Sequence, residues 1–402
     1  MSRRVRLLSA GVGLALLATA GSVPDETPLR APGEAAGDAW LVAGPDGDRE
    51  QPPPPPSRSF TLVATGDVLL HSPLWRQAEA DAAAAGRRGR DFRPLLAAVR
   101  PTVASADVAV CHLETPVAPS GGPFSGYPAF SVPPEIVPAL AATGYDACTT
   151  ASNHVYDQGA AGIDRTLAAL DAAGLQHAGS ARSPAEATRT TMLRAGPARV
   201  ALLSYTFGFN GYPAPNGEAW RSNPIDPRRI ERDALRARRR GADVVVVAVH
   251  WGDEYRHEPN AQQTELAPRL LASPDIDLLL GHHAHVVQPL ERIRGEWVVY
   301  GMGNLVARHA TPGAANAEGV AVRFTFTERR GRWRVTRAEY QPLLMAHDRR
   351  PIRLVDVQAA LADPATDPAV RRRLALARSR TAAVVASRGA TRAGLVPLGA
   401  GR

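Results

Sequence analysis

The sequence predicts an α/β fold built on a buried parallel sheet, with its functional groups at the carboxyl ends of the strands. Two apolar runs and the residues that end them carry this prediction. Residues 244–249 and 276–280, the second broken only by Asp277, are short and almost wholly aliphatic, the pattern of strands covered on both faces. The first meets His250 directly. The second reaches His282 after one glycine, with His283 and His285 close behind. In open α/β sheets the functional groups gather beyond the strands' carboxyl ends, so histidines clustered there point to metal ligation.

Taken in order, residues 1–20 have the form of a secretory leader. Arg3, Arg4 and Arg6 precede an apolar stretch at 7–17, and Ala18-Thr19-Ala20 matches a cleavage site. The stretch is short for a membrane span, and the alternative is a leader retained as an anchor. No cysteine stands at the cut, so no lipid anchor is expected. Residues 21–58, rich in Pro, Gly, Ala and acids with a proline run at 52–56, predict a disordered spacer. The domain is expected over 59–350.

Order begins at 60–67, FTLVATGD, a strand delivering Asp67 to the sheet edge. Residues 78–85 and 92–99 predict helices, and 107–114, DVAVCHLE, a second buried strand ending in Glu114. The loop 119–134, with Phe124, Tyr127 and Phe130, is either a substrate-groove wall or a packed surface loop. A helix at 135–143 stops at Gly144. The strand 145–151 leads to Ser152-Asn153-His154, with Asp157 three residues on. Ile163, Leu167 and Leu170 share one face of a helix at 162–173. Another strand at 199–205 precedes an arginine-rich helix at 230–240, which leads into the strand ending at His250. Residues 297–302 predict a strand, and 320–327 with 332–340 an antiparallel hairpin. Residues 351–402 read as a tail, Ala/Arg-rich and helical, then disordered from about Gly394.

Composition narrows the function. The chain has 402 residues, 45% hydrophobic, and a net charge of +8 carried wholly by arginine. No basic block stands beside aromatics, so nucleic-acid binding is not expected. An anionic envelope polymer or its precursor is compatible with the charge. Cys111 and Cys148 form one disulfide if adjacent strands bring them together; two buried free thiols are the alternative. There is no P-loop, G-x-G-x-x-G or G-x-S-x-G motif, which disfavours kinases, dehydrogenases and α/β-hydrolases.

Five strands thus each offer a polar group at their carboxyl ends, namely Asp67, Glu114, Asn153-His154, His250 and His283/His285. Mixed imidazole and oxygen donors suit Mn, Zn or Fe better than Ca or Mg. One or two such ions would clamp a phosphoryl group and supply a nucleophile without serine or cysteine. In extended backbone His283 and His285 share a face, although His282 could stand in for His283. His154 beside Asp157 reads as a metal-site or general-acid histidine oriented by a carboxylate. His71, His112 and Glu254 are weaker candidates, while His177, His257, His309 and His347 are expected to be ordinary packing or surface residues.

The segments ATGDVLLH, CHLETPV, TTASNHVYDQG, HWGDEYRHEPN, LLLGHHAHVVQPLE and YGMGNL, in this order, resemble the signatures of the CapA family of poly-γ-glutamate capsule biosynthesis proteins. That family's domain is similar to the calcineurin-like metallophosphoesterases. The resemblance covers about 60–308. It implies a four-layer αββα sandwich with a hydrolase-like metal site, acting outside the membrane in polymer synthesis or export, alongside synthase or exporter subunits. It also implies ligand roles for Asp67, Glu114, Asn153, His250, His283 and His285, with His154 as acid and Asp157 and Glu254 orienting it and the site. A non-catalytic polymer-binding scaffold and a general phosphoesterase are the alternatives. The pattern departs at position 69, where Leu replaces the histidine of D-x-H, at Glu114, where the bridging aspartate motif is expected, at 152–154, where Ser-Asn-His replaces Gly-Asn-His, and at 301–304, Gly-Met-Gly-Asn.

Overall fold

A computed structural model of the protein describes residues 58–309 and 314–400; the leader 1–20, and the spacer 21–58 apart from Arg58, lie outside the described residues. The first half comprises β1 (Ser59–Val68), α1 (Ser72–Ala84), α2 (Arg93–Leu96), α3 (Arg100–Ala104), β2 (Val108–Leu113), α4 (Ile136–Thr143), β3 (Ala147–Thr149), α5 (Gly159–Ala172) and β4 (Gln176–Ala178). Next come α6 (Pro184–Ala187), β5 (Thr191–Ala195), β6 (Ala198–Thr206), α7 (Pro227–Arg239), β7 (Val244–His250), α8 (Ala261–Leu270) and β8 (Leu278–His282). The chain continues through β9 (Leu290–Ile293), β10 (Glu296–Val299), β11 (Asn304–Val306), β12 (Glu318–Arg329) and β13 (Arg332–Ala346). It closes with β14 (Arg353–Asp356), α9 (Val357–Ala362), α10 (Pro368–Ala386) and β15 (Leu395–Pro397).

Two sheets form. The larger runs β14-β13-β12-β1-β2-β3-β4, with β11 beside β1 and β15 beside β13; the smaller runs β5-β6-β7-β8-β10-β9. Strands β1, β2, β3 and β4 are parallel neighbours, as are β6, β7 and β8. Side chains alternate across each strand, and that alternation builds the layers. In β1, Leu62 and Ala64 join a core shared with Val244, Val246 and Ala248 of β7, while Val63 turns outward onto Leu96, Val103 and Leu140. In β7, Val245, Val247 and Val249 face Ile230 and Ala234 of α7 and Leu266 of α8. The order is helices, sheet, sheet, helices: the αββα sandwich. Both faces of β7 and β8 are covered, which is why their sequences lack polar alternation.

The expected hairpin is present and longer than its sequence pattern, with Phe324 opposite Ala338. Helix α8, which the apolar pattern hides, starts on a capping box between Asn260 and Gln263. The tail corrects the sequence expectation. Residues beyond Gly394 are ordered as β15, parallel to β13 with Leu395 opposite Ala338, and α10 contributes Leu374 and Ala377 to a core under β13. Buried Leu395 and Ala390 explain the difference, since they complete the inter-sheet core from outside the apparent domain limit. Cys111 and Cys148 stand opposite each other on β2 and β3 and are joined as a disulfide. Among the described residues no helix is long and apolar enough to cross a membrane.

Gly281 in β8 shows how tightly the smaller sheet is drawn. A Cβ there would lie 1.9 Å from the Tyr300 carbonyl oxygen and 2.7 Å from the Trp251 indole nitrogen. Gly281→Ala must part β8 from the chain leaving β10, and chemical denaturation is expected to show a loss of about 3 kcal/mol.

Candidate metal centre

The parallel strands of both sheets end at one place, and the site is made there. Asp67 ends β1, His112 lies in β2 with Glu114 just beyond it, and Asn153 and His154 follow β3. From the smaller sheet come His250 and His282, the last residues of β7 and β8, then His283 and His285. All of these are buried. Serine at 152 is accounted for locally. Its hydroxyl donates to the Glu114 carbonyl at 2.6 Å and accepts from the His154 backbone at 3.1 Å, locking the turn that presents Asn153.

Asp67 accepts from His282 Nδ1 at 2.8 Å and from the His283 backbone at 3.1 Å, and its Oδ2 lies 3.4 Å from His285 Nδ1. The histidine missing at position 69 is thus replaced as a partner of Asp67 by imidazoles of the other sheet. Glu114 Oε1 stands 3.7 Å from His285 Nε2 and 3.9 Å from His250 Nε2, and neither oxygen of Glu114 has a hydrogen-bond partner. His250 Nε2 meets Asn153 Oδ1 at 2.9 Å. Groups able to share one ion are Asp67 with His112 and His282, Asp67 with Glu114 and His285, Glu114 with His250 and His283, and Glu254 with His283 and His285.

Several ligand candidates have their second nitrogen held from behind, as metal-binding histidines do. His250 Nδ1 meets His112 Nε2 at 3.0 Å, and His112 Nδ1 meets Thr149 Oγ1 at 2.8 Å. His285 Nδ1 lies 3.0 Å from Asn304 Oδ1, which gives the altered Gly-Met-Gly-Asn segment its place in the site. His154 donates from Nδ1 to Asp157 Oδ2 at 2.7 Å, and the same oxygen accepts from the Phe130 backbone at 2.7 Å. Of the two acids expected to orient His154, Asp157 meets it. Exposed Glu254 stands with His283 and His285 at the mouth instead, because the loop after β7 carries it over that pair.

Other placements depart from the sequence expectations. His309, expected to be ordinary, packs its ring 4.6 Å from His285 and hydrogen-bonds Asn304 and Tyr255. His71 stands 4.9 Å from His309. Asn210, which no motif marked, accepts from Asn153 Nδ2 at 3.1 Å and lies 3.4 Å from His154 Nδ1. Phe207 covers His283 at 4.5 Å between ring centres. Asn210 lies 56 residues from His154, and Phe207 comes from a loop far along the chain from His283, so local spacing carries no signal of these two.

The family description "Bacterial capsule synthesis protein PGA_cap" matches residues 61–309, well over half of the chain. The chain belongs to the PGA_cap family. A probable polyglutamine synthesis accessory protein of Mycobacterium tuberculosis is 31% identical over 217 residues, 50% of this chain and 56% of that protein. The PGA biosynthesis protein CapA of Bacillus subtilis is 31% identical over 178 residues, 43% of this chain and 45% of CapA. This chain therefore spans about half the length of the curated relatives it matches. Among solved structures, a Mycoplasma pneumoniae phosphatase is similar at TM-score 0.42 and 11% identity, over 72% of this chain and 94% of its own. The calcineurin-like phosphoesterase YfkN of Bacillus subtilis is similar at TM-score 0.41 and 13% identity, over 81% and 98%. The αββα assignment stands on the layer order described above.

The donor groups of the PGA_cap site are compatible with a divalent cation. Burial pushes His112 and His250 well down and His283 to about 3, so these rings are neutral and keep a lone pair for a ligand. Burial alone would raise Asp67, but hydrogen bonds from His282 and His285 outweigh it and hold the carboxyl well below its usual range. Burial pushes Glu114 well up. His285, which burial would lower, is held up at about 9 by Glu114 and Asp67. Burial favours the protonated form of Glu114, and the neighbouring carboxylates favour the protonated form of His285, so a metal ion binding there competes with protons. A buried carboxylate with both oxygens unpartnered is costly, and a dication among neutral imidazoles satisfies it. Binding of Mn²⁺ or Zn²⁺ is therefore expected to release protons near pH 7 and to tighten as pH rises toward 9, as calorimetry in buffers of different ionisation heat would show.

Proposed function

We propose that this PGA_cap protein is an extracytoplasmic, CapA-like component of capsule polymer synthesis or export, with a metal-dependent hydrolase or transferase site. Its ligand is an anionic polymer of the poly-γ-glutamate type, or a precursor, handled beside membrane synthase or exporter subunits. The observation that carries the proposal is Glu114, 1% exposed, unpartnered at both oxygens and set among imidazoles from both sheets. The leader-like start of the sequence and the Cys111–Cys148 disulfide support an oxidising compartment. The names of the curated relatives support the polymer.

Asp67, Glu114, Asn153, His250, His283 and His285 would hold one or two ions of Mn, Zn or Fe, with Glu254 at the mouth. Such an ion supplies Lewis acidity toward a phosphoryl or acyl oxygen. The remaining work falls to the chain. Asp157 fixes the proton on His154 Nδ1, so Nε2 is the atom that gives or takes a proton. Asn210 holds the Asn153 amide so that its oxygen faces His250. His112 and Asn304 keep His250 and His285 from turning. Phe207 and Tyr255 flank the imidazoles on the solvent side.

A second reading, a polymer-binding scaffold without turnover, is favoured by buried Leu69 in the position of the D-x-H histidine. One set of variants separates the two. The purified protein is expected to retain a transition metal at neutral pH and to lose it in His250→Ala/His285→Ala. Asp157→Asn is expected to keep the metal while turnover on polymer or aryl phosphoester falls about 100-fold. Wild type without bound metal ends the hydrolase proposal. Metal retained, no turnover on any phosphoester or amide, and polymer output lost only in the histidine variant leave the scaffold.

A further inference from the structure

A groove of about 290 Å³ opens at the start of α1, and its wall is cationic. Arg76, Arg308, Arg349 and Arg350 line it together with His347, and Asp348 is the one acid among the lining residues. Arg350 reaches the Gln77 side-chain oxygen at 3.3 Å. Arg76, Arg308 and Arg349 have no carboxylate within ion-pair distance among the described residues. Arg353, the first residue of β14, is by contrast committed to Asp81 at 2.7 Å. Four arginines and one acid line the groove, so its wall carries an excess of positive charge that disfavours itself and favours an anion.

The groove adjoins the metal centre. The Leu69 backbone donates to Val306 at 2.8 Å, which ties the segment leading to Arg308 to the end of β1, two residues past Asp67. The Arg308 backbone then donates to His71 Nδ1 at 3.2 Å. The His71 ring stands 4.9 Å from His309, and His309 stands 4.6 Å from His285. A run of contacts therefore links the Arg308 backbone, through the His71 and His309 rings, to the candidate ligand His285.

We propose that this groove is an oxyanion subsite, independent of any cation, which holds one part of an extended polyanionic chain while a neighbouring part lies at the metal centre. The proposal deepens the polymer reading given above and rests on it for the role of the centre. The rings of His71 and His309 separate the two features, so an occupant of both must carry at least two oxyanionic groups along its length. A small phosphate monoester meets only one of them. Guanidinium forks match carboxylate and phosphate oxygens alike. Each contact at this exposed wall is weak and screened by salt, but repeated charges on one chain engage together and add.

The test titrates the full chain, metal-loaded and metal-stripped, with labelled poly-γ-glutamate and with polyphosphate at low and physiological ionic strength. Both protein forms are expected to bind, more weakly at higher salt. Arg76→Gln/Arg308→Gln/Arg349→Gln is expected to lose affinity about tenfold or more, with metal content and unfolding midpoint unchanged. The polymer that shows the loss names the oxyanion. A control with the same charge change on the exposed face of α7, Arg228→Gln/Arg232→Gln/Arg239→Gln, is expected to bind as wild type. The proposal is overturned if the groove variant binds both polymers normally, if the α7 variant loses as much, or if stripping the metal abolishes binding. Polymer bound at the groove by a protein that holds no metal would leave the subsite standing and remove the hydrolase, so the two failures are distinguishable.

Discussion

Asp67 ends the first strand of one sheet and accepts its hydrogen bonds from His282 and His283 at the end of a strand in the other. Behind it the sheets meet largely through aliphatic and aromatic side chains, among them Leu62, Val110, Val246, Leu280 and Phe324. Such an interface is strong but indifferent to small slides, because burial is non-directional. Hydrogen bonds to a buried carboxylate are not indifferent, since an unpaired charge there is expensive. Asp67 therefore sets the register in which the two sheets present their carboxyl ends. The contact of His112 with His250 repeats the link one strand over.

Close approach of backbones makes that convergence possible. A Cβ on Gly66 would lie 2.1 Å from the Gly303 carbonyl oxygen, so β1 and the chain entering β11 touch only because residue 66 has no side chain. Gly303 takes a φ of +66°, the left-handed region that glycine enters freely. His283 and His285 hold φ of +91° and +54° without that freedom. Strain of this kind persists where the surroundings over-determine it and concentrates at working sites. Here it turns successive imidazoles into one pocket, which extended backbone would not do.

In the reading proposed above, the candidate metal centre and the arginine groove would divide recognition between them. Neutral imidazoles and a carboxylate without donors suit a compact dication, and exposed guanidiniums suit dispersed negative charge on a flexible chain. The two adjoin because β1 and β11 run side by side and their exits carry His71 and Arg308 together. Phe207 and Tyr255, both substantially exposed, stand against His283 and His285.

Much of this was legible in the chain itself. Strands covered on both faces must be continuously apolar, so 244–249 and 276–280 declared a parallel sheet and placed His250 and the HHAH segment at its working end. Asp67, Glu114, Asn153, His154 and Asp157 were marked by the same rule, each following a short apolar run. What the sequence could not declare depends on contacts between distant segments. His112 sits inside a buried strand, where a histidine looks the same whether it packs or braces His250. His309 and Asn210 come from loops with no periodicity. The tail past Gly394 is too short and mixed to predict a strand until β13 offers it an edge. The sequence by itself determined the layers and the polar residue at each strand end, because burial pattern is a local property. Only the tertiary structure decided which nitrogen faces which oxygen, because that follows from how two sheets slide over each other, and a carboxylate on one holds the other in place.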